Sequence, residues 1–324
     1  MKGRSTLIFL LGLLVIWGFM SGFNNQGCDD RASAPHSNPA SNLFTYIDAR
    51  GDLVLQNVTD DAKRVLIEGE DIHDYDYCHE EGLLACIRHN GEGSREFVVY
   101  HLEQGVRRDI LVDEFASSVL WSPGGKYLVL DAGTGAHRGI RIFDMETGTL
   151  VKVGTSVISY LWSPGGTFLA LGVAEEVEPE TPVEDGRTAT AVVMYLEREY
   201  HIKTIVKGTS DYSATPRLWL DRETLVVEKR NYLDYLHAVY LKSHLQEGAV
   251  SEMLQADLPH DIRESFPAET VSTYHSISAD GQRVLYSHYD ERVDALEVML
   301  YDRSSGERYS LGAGEKAKWV LQAR

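Results

Sequence analysis

The sequence predicts an all-β chain: a six-bladed β-propeller closed by its C-terminal strand and preceded by an N-terminal transmembrane helix. Three observations carry this prediction. A hairpin motif recurs along the chain, incomplete blades stand at both ends of the recurring region, and one uncharged apolar run lies near the N-terminus. The 324 residues divide into a membrane anchor or signal segment at 1–23, a flexible linker at 24–42 and the propeller at 43–324.

The recurrence is explicit. Leu120-Trp121-Ser122-Pro123-Gly124-Gly125-Lys126-Tyr127-Leu128-Val129-Leu130 returns as Leu161-Trp162-Ser163-Pro164-Gly165-Gly166-Thr167-Phe168-Leu169-Ala170-Leu171. Ile277 to Leu285 is a weaker copy, Trp219 to Leu225 is one residue short, and Tyr77 to Leu84 is degenerate. With Trp319, the leading positions fall at 77, 121, 162, 219, 277 and 319, giving steps of 44, 41, 57, 58 and 42 residues. Three steps suit a four-stranded blade, and two are long by about 15 residues. In each unit an apolar strand ends at the leading position, Pro-Gly-Gly or Ala-Asp-Gly turns the chain, and an alternating strand leaves. A third strand then ends in Asp before a Thr-Gly or Ser-Gly turn, as in Asp144 to Gly148 and Asp302 to Gly306. This pattern resembles the TolB-like and WD40-like propeller repeat. The resemblance implies a propeller fold and, by analogy, a binding platform.

Closure follows from the two ends. Phe44–Asp48 and Asp52–Gln56 begin the ordered chain without an inner strand, and Lys316–Leu321 supplies an inner strand with nothing after it. Pairing the last strand with the first leaves no open sheet edge. The expected blades are 44–69 with 316–322, then 72–112, 116–154, 157–207, 214–254 and 271–312. Trp121, Trp162, Trp219 and Trp319 share the leading position, so they are expected to fill space between blades and not to line a carbohydrate site. Cys78 and Cys86 lie out of register on one hairpin, so each is expected to act as a small apolar residue outside any disulfide.

At the N-terminus, Lys2 and Arg4 precede the uncharged run Leu7–Phe23, and Asp29 and Asp30 follow it. As a helix its 17 residues reach about 26 Å, enough to cross a bilayer core with the basic end inside. An uncleaved anchor, a cleaved signal peptide and a lipoprotein signal ending at Cys28 all stay open. The length favours the anchor. No Ala-x-Ala site follows the run, and before Cys28 only Gly27 suits a lipoprotein box. All three deliver the propeller to the extracytoplasmic side, tethered to the cell membrane or, after cleavage, secreted or periplasmic.

Chemistry is sparse. The net charge of -18 disfavours nucleic acid and favours a protein partner with a basic patch. Peptidases that share this repeat carry a hydrolase Gly-x-Ser-x-Gly, which does not occur here; His79-Glu80-Glu81-Gly82-Leu83 lacks the second histidine of a zinc site. Asp48–Asp52 and Asp71–Asp76 lack EF-hand spacing and are read as turn acids, and Gly133–Gly139 as a hairpin loop with no helix after it to cradle phosphate. No catalytic, cofactor or metal residue is assigned, and no enzyme activity is expected.

The two long steps place insertions on one rim. Ala174–Arg187 holds Glu175, Glu176, Glu178, Glu180, Glu184 and Asp185, and Gln255–Thr270 holds Asp257, His260 and Asp261. Neighbouring loops add His137, Arg138, His288, Asp290 and Arg292. Insertions on one rim of a rigid ring suit a partner-binding face, so the chain is expected to be a non-catalytic interaction module. The alternative is a ligand- or metal-binding propeller, or an enzymatic one, with its site at one mouth of the central channel.

Overall fold

The computed structural model describes residues 42–320 apart from 60–61, 70, 79–80, 90–92, 114, 133–138, 177–186, 235–237, 259–274, 279–281 and 293. The anchor at 1–23 and the linker up to residue 41 lie outside the described residues. Among those described, no helix is long and apolar enough to cross a membrane.

The described chain is all-β apart from one 3₁₀ turn at Gln255–Asp257. Four sheets have four strands each in antiparallel order. They contain β4 (Ile72–Cys78), β5 (Leu83–His89), β6 (Arg95–His101) and β7 (Val106–Val112); then β8 (Ala116–Trp121), β9 (Tyr127–Ala132), β10 (Gly139–Asp144) and β11 (Leu150–Thr155). The next holds β12 (Val157–Trp162), β13 (Phe168–Glu176), β14 (Arg187–Tyr195) and β15 (His201–Val206), and the last β16 (Tyr212–Trp219), β17 (Thr224–Asn231), β18 (Ala238–His244) and β19 (Val250–Met253). A seven-stranded sheet joins the first and last described strands: β20 (His275–Ile277), β21 (Arg283–Asp290), β22 (Ala295–Asp302), β23 (Glu307–Trp319), β1 (Leu43–Asp48), β2 (Leu53–Asn57) and β3 (Lys63–Ile67), in that order.

The long strand β23 pairs with β22 from Glu307 to Ala313 and with β1 from Gly314 to Trp319. It is the outer strand of one four-strand set and the inner strand of the next. Phe44 stands opposite Trp319, the pairing expected from the sequence. The crossover needs Gly314: its φ is 156°, and a Cβ there would sit 2.5 Å from the Ile47 carbonyl oxygen.

The recurring residues have local reasons. Ser122, Ser163 and Ser278 are buried, and each hydroxyl accepts the backbone N–H five residues on, from Tyr127, Phe168 and Arg283, at 2.9, 3.1 and 2.9 Å. The shorter copy uses Asp221, which accepts the Glu223 and Thr224 amides at 2.8 Å. In the two full copies the second glycine makes close approach possible: Gly166 has φ 68°, and a Cβ would lie 2.5 Å from the Pro123 carbonyl of the preceding sheet. Asp144 caps its turn by accepting the Glu146 and Thr147 amides at 2.9 and 3.1 Å, and Asp302 repeats this with Ser304 at 2.8 Å.

The core lies between sheets. All six residues of β9 are buried. Strand alternation sends Leu128 and Leu130 toward β5 and β8, and Tyr127 and Val129 toward β13 and β14. β5 divides likewise: Leu84 and Cys86 pack with Ile47, Leu53 and Tyr75, while Ala85 and Ile87 pack with Val119 and Trp121. Each buried leucine, isoleucine or valine among them contributes roughly 1.5–3 kcal/mol. The tryptophans bridge successive sheets. Trp121 donates its indole N–H to the Asp76 carbonyl at 3.1 Å, Trp219 donates to that of Leu161 at 3.3 Å, and Trp162 stacks on Tyr127. Cys78 and Cys86 form no disulfide, because Cys78 pairs with Leu83 and Cys86 with Tyr75.

One expectation is corrected. Asp74 and Asp76 are not turn acids; they stand on β4, at the inner edge of its sheet. Their alternation with Tyr75 and Tyr77 is the period of a strand, and the count of acids concealed it.

Trp319→Ala removes a buried ring that meets Phe44 edge-on at 6.3 Å between centroids. It should cost about 3–5 kcal/mol in denaturant unfolding, whereas truncating exposed Tyr309 on the same strand should cost little.

Candidate functional site: one rim of the sheets

In a four-stranded antiparallel sheet the turn after the second strand and the exit from the fourth leave at the same end. Each following sheet starts where the last one ended, so the β1–β2, β5–β6, β9–β10, β13–β14, β17–β18 and β21–β22 turns and the links between sheets share one rim. His137, Arg138, Glu178, Glu180, Glu184, Asp185, His260 and Asp261 lie outside the described residues.

The others are placed as follows. Glu175 and Glu176 are not loop residues, because the ladder continues outward: Ala174 pairs with Ala189, Glu175 with Thr188 and Glu176 with Arg187. A short alternation of small and β-branched residues after Arg187 extends the hairpin, which narrows the insertion to 177–186. Glu175 accepts the Thr190 hydroxyl at 3.0 Å, and Thr190 in turn accepts the Gly208 amide at 3.0 Å, so this carboxylate is engaged. His288 and Asp290 belong to the end of β21, again strand where loop was expected. Asp257 is exposed in the 3₁₀ turn.

Several rim acids are neutralised by arginines of their own turns. Arg292 donates two hydrogen bonds to Asp290, at 2.9 and 2.7 Å, and its backbone amide adds a third at 2.9 Å. These bonds hold the Asp290 carboxyl down at about 2. Arg50 bridges Asp48 at 3.3 Å and Asp52 at 2.9 Å; Asp52 also accepts the Gly69 amide at 2.9 Å, tying two rim loops together. Between sheets, Thr188 donates to the Tyr212 carbonyl at 2.9 Å and accepts the Tyr232 hydroxyl at 3.0 Å. The described rim is therefore in part a hydrogen-bonded frame, in which Arg50 and Arg292 compensate Asp48, Asp52 and Asp290.

Sequence reasoning missed the apolar component. Phe115, Leu233, Leu254 and Tyr289 are large side chains exposed at 46, 84, 72 and 51%, and all four lie in rim loops or at a strand end beside one. Other exposed apolar residues, such as Val65, Val106, Leu150, Ile202 and Val250, are on outer-edge strands. Single apolar residues in loops carry no periodic signal, so the sequence alone did not separate them from buried ones.

Asp74 and Asp76 do different work. Asp74 accepts the Val119 amide at 3.0 Å and Asp76 that of Trp121 at 2.7 Å, fastening β4 to β8. Burial pushes the Asp76 carboxyl up, against the nearby Lys318 cation and the Trp121 amide. Among the described residues no group of three or more histidines, cysteines and acids is placed to hold a metal.

No protein-family model matches the chain, and no curated protein matches it. Among solved structures, TolB from Acinetobacter baumannii is similar over 88% of this chain and 68% of its own, at 14% identity and a TM-score of 0.51. The tricorn protease is similar over 84% of this chain but only 29% of its own, at 14% identity and a TM-score of 0.51. The propeller domain of the trilobed protease from Pyrococcus furiosus covers 84% of this chain and 81% of its own, at 15% identity and a TM-score of 0.49. At these identities the likeness is one of fold, and the fold is the TolB-like β-propeller repeat.

The Asp290–Arg292 pair makes a direct prediction. A carboxyl held below its ordinary 3.8 stabilises the fold above that pH, and the contribution is lost as pH falls toward 2. The NMR titration midpoint of Asp290 should lie near 2 and rise toward 3.8 in Arg292→Ala.

Proposed function

We propose that the chain is a membrane-tethered, extracytoplasmic six-bladed propeller that serves as a non-catalytic protein-interaction module. Its rim would take a partner through apolar contacts and a basic patch. The blade count treats β23 as belonging to two blades, which divides the seven-stranded sheet into two four-strand sets beside the other four sheets. Tethering and sidedness rest on the Leu7–Phe23 run and its flanking charges.

The observation that carries the proposal is the exposure of Phe115, Leu233, Leu254 and Tyr289 on the loop-rich rim. Loops carried on one rim of a rigid frame are where binding residues sit, and these four place apolar surface there. The basic character of the partner follows from the net charge of -18 and from the acids of the 177–186 insertion. The metal-site alternative requires carboxylates or histidines converging at one mouth of the channel.

The test is affinity capture by the full chain from its own cell envelope. Leu233→Asp with Leu254→Asp, or replacement of 177–186 by a short Gly-Ser turn, should lose a basic partner that the parent chain retains. Retention should also weaken as salt is raised from about 0.15 to about 1 M. If both variants keep every partner of the parent, the rim is not the binding face.

A further inference from the structure

A cleft of about 220 Å³ opens on the rim beside β10, lined by Asp113, Phe115, Ala132, Gly139, Ile140, Arg141 and Lys152. Half-exposed Phe115 forms its apolar wall beside Ala132, while the Ile140 side chain is fully buried on the other face of the sheet. Its charge is unlike that of the molecule. Arg141 and Lys152 stand directly opposite each other across the β10–β11 ladder, and like charges so paired oppose folding. Among the described residues one acid answers them: Asp113 binds Arg141 at 3.0 Å. No described acid pairs with Lys152, and the guanidinium makes no other hydrogen bond to the described residues. This surplus cation persists in a chain with 49 acidic and 31 basic residues.

The local backbone accounts for the juxtaposition. The register slips between Ile140, which pairs with Gly154, and Arg141, which pairs with Lys152, so Val153 is an extra residue on β11. Such a bulge re-aims neighbouring side chains, and bulges recur beside binding sites. Here it brings two cations to the mouth of an apolar cleft.

We infer that this cleft binds a carboxylate carried on a small apolar group. The anion would lie between Arg141 and Lys152, with the apolar part against Phe115 and Ala132. The volume suits one leucine- or phenylalanine-sized group. A free organic acid and the C-terminal residue of a peptide present this same chemistry. The site shares Phe115 and the rim with the partner face proposed above, but it needs an anion where that partner supplies a cation, so small-acid binding and partner capture fail separately.

Calorimetric titration of the full chain with N-acetyl-leucine and N-acetyl-leucinamide tests the inference, since the two differ only in the charge of the terminal group. The acid should bind at least about tenfold more tightly than the amide, and Lys152→Gln should erase most of that difference. Phe115→Ala, also at an exposed position, should weaken the acid severalfold. The double variant Arg141→Gln with Asp113→Asn removes the second cation without stranding an acid and should abolish the preference. A tetrapeptide ending in a free leucine that binds as well as the acid identifies a chain terminus as the ligand; binding of the free acid alone identifies a small metabolite. Equal affinity for acid and amide, no saturable binding at millimolar concentration, or an unchanged preference in Lys152→Gln overturns the inference.

Discussion

The structure depends on one strand serving two sheets. β23 leaves β22 at Ala313, turns at Gly314 and finishes against β1, so the last described strand holds the first. Side chains lock this closure to the next sheet. Lys318 reaches the Asp74 carboxylate at 3.1 Å, donates to the Tyr75 carbonyl, and lies over the Tyr75 ring at 5.0 Å. The Tyr75 hydroxyl, buried with its ring, donates back to the Lys316 carbonyl at 2.8 Å. Since Asp74 also accepts from Val119, a single carboxylate connects the inner strands of three successive sheets. A lysine near a buried acid would cost more to desolvate than it returned if it lacked further partners. Here the ammonium has a carboxylate, a carbonyl and a ring face.

From that lock the remainder follows by repetition. Each sheet is too small to bury its own faces, and alternation along the strands shares them between two neighbours, as β9 and β5 do. Tryptophans at the ends of inner strands tie successive sheets together, and hydroxyls inside the turns fix each hairpin. Leu285, Val298 and Leu300 pack with Phe44, Tyr46 and Trp319, so the contact across the junction of chain ends is made of the same material as those between consecutive sheets.

Much of this was legible in the sequence because it was periodic. The Trp-Ser-Pro-Gly-Gly copies located the hairpins, the 41 to 44 residue steps located the sheets, and the unmatched strands at Phe44 and Trp319 located the closure. Features that occur once were less legible. Asp74 and Asp76 looked like turn acids because their role depends on Val119 and Trp121, about 45 residues away. The β13–β14 ladder ran past its expected end since Glu175 is satisfied by Thr190, a contact no local pattern announces. Arg141 and Lys152 meet only because of a bulge, and register slips leave no mark in composition. The rim could be inferred from topology; the exposed Leu233 and Leu254 on it could not.

A frame of this kind leaves its loops free to vary while their roots stay fixed, the condition under which a rigid scaffold presents binding or catalytic residues. All of it presumes that β23 completes the sheet begun by β1. Hydrogen exchange of the full chain and of a chain lacking residues 315–324 measures this directly. Backbone amides of 43–57 should be protected in the full chain to the same degree as those of 127–132 and should exchange freely after the deletion. Unchanged protection of 43–57 in the shortened chain would contradict the closure and the common rim that depends on it.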